Sequence, residues 1–433
     1  MLNRLQQLKD TALSEVSKRS GKKGGNFVVA LDIGTENVKA LIAEIEDGEA
    51  KIIGVGTAHQ GLQDMQAGAI ADISAVTANC NEALAEAEKQ AGVSARAVVI
   101  GIAGELVKGK TTSVKVRRKN SKKPLEIEEV ERIIAIVQER AFEQARTQIS
   151  NEIGGQDIDV QLVNSALVDM KIDGYAVTNP VGFQGKEVTV QLYTAFAPMI
   201  HIGALERVAN ELDMDLLAVA AEPFAVARSV TGDDGDAAIS AILIDVGGGT
   251  TDIAVLNEGG VQGTHMFGIG GRAYTKTVAK ELDVHFSEAE KLKVGLTDGT
   301  APKVQIDKIE KALQKTLDVW QSGVELSLES YNKLEQLPKD IMLCGGGSSL
   351  EMLKDSLENG EWHQNLPFSR KPRVHYITED AVIGISDETD SAGGHTFVTA
   401  MGLLRVALDT IAQNDIDTEK ETVKTKIDRM LRV

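Results

Sequence analysis

Three glycine-rich turns are the segments of this sequence whose residue types are best suited to chemistry. In chain order they are Gly34-Thr35 after Asp32, Gly247-Gly248-Gly249-Thr250 after Asp245, and Gly345-Gly346-Gly347-Ser348. Backbone N–H groups in such turns can bind phosphate oxygens, and only glycine lets the chain approach them closely. The three turns together predict one clamped nucleotide.

Two aspartates precede the first two turns and indicate where a metal ion would lie. Asp32 and Asp245 each end an apolar strand just before the glycines. A phosphate-bound Mg²⁺ keeps most of its waters and needs one or two carboxylates nearby. We therefore predict that both aspartates lie beside Mg²⁺. Lys39, on the strand that returns from the first turn, is open to two interpretations, a phosphate partner or an edge lysine facing solvent.

The first two turns lie inside matching segments of the chain. The segments VVALDIGTENVKALIAEI and ISAILIDVGGGTTDIAVL each combine an apolar strand, a glycine turn and a second apolar strand. Such a repeat predicts two related domains that face each other across a cleft. The sequence lacks GxxxxGK[ST], and it lacks a GxGxxG that opens a helix after the first strand, which argues against P-loop and dinucleotide-binding folds.

Hydrophobic periodicity predicts strands and helices in alternation around these turns. From Phe27 onward it predicts three strands, with tight turns at Gly34 and at Asp47-Gly48. Helices are predicted at 75–91, 127–149, 204–212 and 305–331, and a buried strand at 340–344. The polar stretch at 231–238 is typical of a hinge. The pattern therefore predicts a larger α/β chain with a small α+β module embedded in it.

The composition excludes several classes of protein. The 433 residues include 46 Lys+Arg and 64 Asp+Glu, a formal net charge of −18. A field of that sign repels phosphate backbones, so we expect no nucleic-acid partner. Cys80 and Cys344 are far apart and predict neither a disulfide scaffold nor a zinc site. This cysteine usage leads us to expect a protein of the reducing cytosol. No apolar run reaches the roughly 18 to 20 residues of a membrane span, so we expect no part of the chain to cross a membrane.

Both ends of the chain have the composition of basic amphipathic helices. Residues 1–25 hold six Lys or Arg against two Asp or Glu, and residues 418–433 hold five against three. Such helices lie on anionic membranes or bind a partner, although a frayed terminal helix fits the N-terminal pattern equally well. A basic run at 108–123 also has two interpretations, a solvated hairpin rim, which is favoured, or a binding patch.

Five short motifs resemble those of the superfamily that contains actin, the sugar kinases and the heat-shock chaperone ATPases. They are LDIGTENVKALI, AAEPFAVARSV, LIDVGGGTTDIAVL, IMLCGGGSSLEML and TFVTAMGLLRVAL. Within that superfamily the chain is most similar to the FtsA family of bacterial cell-division proteins, through GLQDMQAGAIADISAVT, AVVIGIAGELVKG and DGYAVTNPVGFQGKEVTVQLYTAFAP. The resemblance implies an α/β protein with an actin-like two-domain ATPase fold, built from duplicated ribonuclease-H-like domains, and an FtsA-type α+β insert subdomain.

The resemblance also implies a division of the chain. The parts are an amphipathic N-terminal extension at 1–25, a first actin-like domain at 26–105 and 198–232, the insert subdomain at 106–197, a second actin-like domain at 233–412 with a smaller subdomain at about 274–340, and a linker with a basic amphipathic helix at 413–433. The cleft would lie between the two actin-like domains.

ATP and Mg²⁺ in that cleft are what the resemblance implies as cofactors. The residues implied to bind ATP are Gly34, Thr35, Gly247, Gly248, Gly249, Thr250, Gly270, Gly271, Glu290, Lys293, Gly345, Gly346, Gly347 and Ser348. Asp32 and Asp245 would lie near Mg²⁺ and bind it through water. Glu222 would take the place where chaperone relatives orient a hydrolytic water, or it caps the helix that begins at Pro223. The resemblance leaves open whether ATP is hydrolysed.

The function implied is that of an FtsA-like protein, which polymerises and tethers the FtsZ ring to the cytoplasmic face of the inner membrane at the division site. Its partners would be the C-terminal peptide of FtsZ, other division proteins, further copies of the chain and an anionic membrane surface. The resemblance suggests the half around 274–340 as a surface on which a partner docks. The alternative is a PilM-like scaffold of pilus assembly, which shares the fold and the insert. A small-molecule kinase is less favoured because the sequence shows no separate substrate pocket.

Overall fold

The structure is a computed structural model that describes residues 26–231, 239–332, 334–412 and Ile427. The predicted N-terminal extension at 1–25 lies outside the described residues. So do nearly all of the predicted hinge and all of the C-terminal segment except Ile427.

Strands and helices alternate along the chain, as the hydrophobic periodicity predicts. The strands are β1 (Asn26–Ile33), β2 (Asn37–Glu46), β3 (Glu49–His59), β4 (Met65–Gln66), β5 (Ala69–Ile70), β6 (Ala97–Ile102), β7 (Lys108–Arg117), β8 (Val160–Ile172), β9 (Tyr175–Ala176), β10 (Glu187–Pro198), β11 (Asp215–Ala221), β12 (Ala241–Val246), β13 (Thr251–Asn257), β14 (Gly260–Phe267), β15 (Asp340–Cys344), β16 (Arg373–Tyr376) and β17 (Ile385–Asp387). The helices are α1 (Ile73–Ala91), α2 (Ile127–Glu152), α3 (Met199–Glu211), α4 (Glu222–Thr231), α5 (Gly271–Leu282), α6 (Phe286–Thr297), α7 (Ile306–Glu329), α8 (Glu351–Asn359) and α9 (Val398–Ala412).

A six-stranded sheet in the order β11-β6-β1-β2-β3-β17 forms the first half. Strands β1, β2 and β3 are an antiparallel meander, whereas β6 runs parallel to β1. The predicted turn at Asp47-Gly48 is confirmed, because both residues have positive φ (52° and 84°), as a tight hairpin turn with right-handed strand twist requires. Helices α1, α4 and α9 supply apolar side chains to the core of this half.

A nine-stranded sheet in the order β16-β15-β12-β13-β14-β7-β10-β8-β9 runs through the second half and the insert. Its strands β12 to β16 belong to the second half, and β7 to β10 belong to the insert. Strands β12 and β13 repeat the hairpin of β1 and β2, with Asp245 opposite Asp252. Helices α5, α7 and α8 pack on this part in a core that includes Trp320 and Tyr274. The internal repeat of the sequence therefore folds into two similar strand–turn–strand units in different sheets.

Strand pairing divides the chain differently from the sequence-based boundaries. The sequence-based boundaries place residues up to 412 in the second actin-like domain, whereas β17 pairs with β3 and α9 packs against α4 and β1. Nearly every residue of α9 is buried, so the helix needs partners on several sides, and α4 and β1 of the first half supply them.

The insert subdomain shares a sheet with the second half of the molecule. Strand β14 pairs with β7 through Gly263 opposite Lys110 and Thr264 opposite Gly109. Close to this β7–β14 junction, the Gly268 N–H donates to the Glu105 carboxylate at 2.7 Å. The insert is therefore bonded to the second half even though the chain enters and leaves it from the first.

Most of the basic run lies on the outside of the insert. In β7, Lys115 and Arg117 are exposed and alternate with the inward-facing Val114 and Val116. Arg118 is the exception, because it is buried and makes two 2.8 Å bonds to the Glu129 carboxylate. The rim interpretation therefore describes these strand lysines and arginines, whereas Arg118 has a structural role.

Helices in the described residues include none that is long and apolar enough to span a membrane.

Substituting Gly109 tests the β7–β14 junction. A Cβ at this position would collide with the hydroxyl groups of Thr264 and Tyr193. We expect Gly109→Ala to lower the free energy of unfolding by about 1–3 kcal/mol, the usual cost of overpacking, measured by urea unfolding. The control is Gly203→Ala on α3, where a Cβ has open space. Equal stability of the two variants would contradict the importance of the junction.

Candidate functional site

The first two glycine turns meet between the two halves. A Cβ at Gly249 would collide with the Thr35 side chain, and one at Gly248 would lie 2.7 Å from the Cβ of Glu36. The second turn is closed by the Gly247 N–H, which donates to the Thr250 carbonyl at 2.9 Å. The absence of side chains at these glycines is therefore what allows the two turns to touch.

The third turn packs against the second. Gly345 has φ +82°, a conformation that favours glycine, and a Cβ there would collide with the Asp245 carboxylate. A Cβ at Gly347 would lie 2.8 Å from the Gly247 carbonyl oxygen. The Ser348 hydroxyl donates to the Gly345 carbonyl at 2.7 Å, so this hydroxyl stabilises the turn itself.

The Gly270-Gly271 turn and helix α6 complete the set. The Gly271 N–H donates to the Gly247 carbonyl at 2.9 Å. Lys293 donates to the Gly271 carbonyl at 3.2 Å and pairs with Glu290 at 2.8 Å. The structure therefore brings the sequence-predicted glycines, Glu290 and Lys293 to one place, although they come from widely separated parts of the chain.

Four buried carboxyl groups and one lysine lie at the bottom of this site. Asp32, Asp245, Asp252 and Glu222 are all buried. Burial raises the pKa of Asp252, and repulsion from Asp245 adds to the effect. Burial also raises the pKa of Glu222, with Asp32 as its strongest charged neighbour. The pKa of Asp245 is raised by burial as well, although a hydrogen bond from Thr399 opposes the shift.

Lys39 is the cation in this group. Its ammonium lies 3.3 Å from the Asp32 carboxylate and donates to the Thr396 carbonyl at 2.7 Å. Only 17% of its side chain is exposed, so the interpretation as an edge lysine facing solvent is wrong. Burial alone lowers the pKa of Lys39, but the charges of Asp32 and Asp245 outweigh it and raise this pKa.

The sequence analysis did not include Asp252 among the site residues. It lies on β13 opposite Asp245, and one of its oxygens, Oδ1, is buried with no hydrogen-bond partner. The pattern that could have identified it is an aspartate inside an otherwise apolar strand, since such a charge is seldom buried without a role.

Glu222 lies on the floor of the site as the first residue of α4. A Cβ at Gly101 would lie 2.9 Å from one of its carboxyl oxygens, so β6 approaches it closely. Its charged neighbours are three aspartates and Lys39. Glu222 therefore lies at the start of the helix and also among the charged residues of the candidate site.

The donor set fits a hydrated divalent cation beside phosphates. Carboxylate and hydroxyl oxygens are the ligands that Mg²⁺ prefers, and the partnerless oxygen of Asp252 would accept a bond from a metal-bound water. The described residues contain no group of three or more His, Cys, Asp or Glu placed to hold a metal directly. The carboxylates present fit Mg²⁺ bound through its waters.

An ion pair joins the two halves above the glycine turns. Arg272, buried at the start of α5, donates to the Glu36 carboxylate at 2.6 Å and to the Gln60 carbonyl at 2.9 Å. Charge-assisted bonds of this kind are among the strong ones. The sequence analysis did not predict this contact, because the two residues are 236 positions apart.

Two halves with matching glycine turns that meet across a cleft define the actin-like ATPase fold. A solved chain titled PilM-PilN type IV pilus biogenesis complex has this fold, with a TM-score of 0.63 and 16% sequence identity, covering 89% of this chain and 98% of that chain. At this identity the likeness shows the fold alone.

Sequence comparisons find relatives among the bacterial cell-division proteins. A family profile described as cell division protein FtsA matches residues 242–402. The FtsA of Neisseria meningitidis serogroup B is 27% identical over 403 residues, which are 88% of this chain and 90% of that protein. The FtsA of Streptococcus pneumoniae serotype 2 is 26% identical over 345 residues, 75% and 71% of the two chains. The resemblance to FtsA is therefore confirmed, and the chain is related to these cell-division proteins.

Neutralising Asp252 tests the electrostatics of the site. The pKa values of Asp245, Asp252 and Glu222 are raised in the folded state, so the folded protein keeps protons that the unfolded chain has released. The free energy of unfolding should therefore fall as pH rises from about 4 through the raised pKa values. We expect Asp252→Asn to stabilise the ligand-free protein at pH 7.5 by roughly 1–3 kcal/mol and to weaken this pH dependence.

Thermal unfolding between pH 5 and pH 8 measures both effects. Asp355→Asn, an exposed change of the same kind on α8, is the control and should leave the curve unchanged. A variant Asp252→Asn that is less stable than the parent at pH 8 would contradict the assignment of a buried, partnerless carboxylate.

Proposed function

We propose that the cleft binds ATP with Mg²⁺. The observation that best supports this proposal is the convergence of three glycine turns on a buried group of carboxylates that has one lysine beside it. Backbone N–H groups would bind phosphate oxygens without a basic surface, which suits a chain of net charge −18.

Each part of the site has a task in this proposal. The N–H groups of the first two glycine turns bind the phosphates, and Lys39 offsets their charge. Asp32 and Asp245 would hold Mg²⁺ through its waters, and the ion would supply the positive charge that the buried carboxylates lack. Glu290 and Lys293 border the ribose and adenine beside the Gly345 turn. The buried carboxyl groups of Asp252 and Glu222 would accept hydrogen bonds from water in the site and would supply general-base chemistry, so slow hydrolysis is compatible with the site.

Thermal unfolding with and without nucleotide tests this proposal. We expect MgATP to raise the unfolding midpoint, because a ligand at 100 times its Kd stabilises the folded state by about 2.7 kcal/mol, and EDTA to remove most of the increase. Lys39→Ala should abolish the increase, whereas Lys51→Ala, in an exposed ion pair on β3, should retain it. An increase that is the same in both variants would contradict the phosphate role of Lys39.

We further propose that the protein acts in cell division as FtsA proteins do, by self-association and by tethering FtsZ to the membrane. The relationship to FtsA over most of the chain supports this function. The basic amphipathic sequence at 418–433 supports contact with an anionic membrane surface. On this proposal the protein lies on the cytoplasmic face of the membrane at the division site.

The outer face of α7 is the proposed docking surface for the C-terminal peptide of FtsZ. Val319 and Leu326 are seven residues apart, two helical turns on one face, and are 57% and 69% exposed. Exposed apolar side chains at this spacing are typical of a peptide-binding helix face. Helix α7 also lies within the half around 274–340 that the family resemblance indicated.

Substituting Leu326 tests this surface. We expect Leu326→Asp to weaken binding of the FtsZ C-terminal peptide at least tenfold, about 1.4 kcal/mol, measured by fluorescence anisotropy. The control is Ile200→Asp, 74% exposed on α3 of the first half. Unchanged affinity in Leu326→Asp would reject the surface. Binding of a peptide from an inner-membrane pilus protein, without binding of the FtsZ peptide, would support the PilM-like alternative.

A further inference from the structure

The insert subdomain has a hydrophobic core of its own between α2 and the sheet. Val130, Ile133 and Val137 of α2 face strand residues across this core. The strand residues are Val114 of β7, Met170 and Ile172 of β8, and Val188, Val190 and Leu192 of β10. One further member does not come from the insert at all.

That member is Ile427, near the C-terminal end of the chain. It is helical and only 1% exposed, and it belongs to the same apolar cluster as the α2 and strand residues. An isoleucine outside the body of a protein would be largely exposed, so its burial shows that the insert provides an apolar position for it.

The chain between α9 and Ile427 is long enough for this contact. The helix α9 ends at Ala412, and the fifteen residues that follow span up to about 50 Å when extended. This length exceeds the diameter of a small domain, about 30 Å. The connection therefore permits the contact without requiring any change in the body.

The sequence and charge of the C-terminal segment around Ile427 suit packing against the insert. Val423, Ile427, Met430 and Leu431 recur at helical spacing, so a helix over this segment would have one apolar face. Helix α2 has six acidic and three basic residues, a net charge of −3, whereas residues 418–433 have a net charge of +2. The exposed Lys115 and Arg117 alternate with Val114 and Val116, so they lie on the opposite face of β7 from the cluster.

We propose that the insert subdomain holds the C-terminal segment 423–433 through an apolar groove between α2 and the sheet, with Ile427 as the anchor. The apolar face that would enter a membrane is then the face that packs on the insert. A consequence, which rests on the proposed membrane role, is that docking and membrane binding exclude each other. The groove is an intramolecular regulator of when the segment is free to bind lipid.

Hydrogen–deuterium exchange on the full-length protein, without nucleotide or lipid, tests the docking. We expect amides in 423–431 to exchange about tenfold or more slowly than in an unstructured chain. Ile427→Asp should abolish this protection and should speed exchange in α2, while leaving the other helices unchanged. Because the insert core keeps its residues from α2 and the strands without Ile427, this variant should fold.

Two controls separate docking from general effects. Ile136→Asp adds the same charge to α2 at a position that is 47% exposed and outside the cluster, and should leave the 423–431 protection intact. A synthetic peptide of residues 418–433, added to the Ile427→Asp protein, should restore slow exchange in α2. Exchange of 423–431 at the unstructured rate in the parent protein, or at the same rate in parent and Ile427→Asp, would overturn the proposal.

Vesicles of phosphatidylglycerol and phosphatidylethanolamine test the consequence separately. Binding to them should speed exchange in α2 to the rate seen in Ile427→Asp, and Ile427→Asp should not sediment with the vesicles. Slow exchange in α2 of vesicle-bound protein would reject the mutual exclusion and leave docking in place. Failure of vesicle binding by the parent protein would count against the membrane role and not against the groove.

Discussion

The burial of Asp32, Asp245, Asp252 and Glu222 around Lys39 is the constraint on which the rest of the structure depends. Burial and mutual repulsion raise the pKa values of Asp245, Asp252 and Glu222, so the arrangement is costly without compensating positive charge. It persists because the strands that end at the site belong to two large apolar cores. The packing of these strands in the two cores offsets the cost of burying the carboxylates. Binding sites commonly contain such destabilising groups.

Several contacts connect the site to distant parts of the molecule. Arg272 bonds Glu36 and Gln60 across the two halves, and α9 packs into the first half although it follows the second in the chain. The β7–β14 pairing makes the insert continuous with the second sheet. A change in the separation of the two halves must therefore either move the insert with the second half or break this pairing.

Several local features that a single segment determines were predicted correctly, although the helix predicted at 204–212 begins five residues earlier, at Met199. The alternation from Phe27 onward gives three antiparallel strands, and Asp47-Gly48 forms the tight turn between the second and third. The predicted helix at 75–91 begins at Ile73 because Asp72 accepts a hydrogen bond from the Ala75 N–H and caps it there. The helix predicted at 305–331 runs from Ile306 to Glu329. Such features depend on neighbours in sequence, so the sequence is sufficient to predict them.

By itself, then, the sequence determined the repeated strand–turn–strand units, the glycine turns with their aspartates and the resemblance to FtsA. Only the tertiary structure decided that Lys39 is buried, that Asp252 faces Asp245 without a partner for one oxygen, and that Arg272 joins Glu36. It also decided that β17 and α9 belong with the first half and that Ile427 packs on the insert. The physical reason is that burial and pairing depend on which surfaces meet in space, and residues far apart in the chain create those surfaces together.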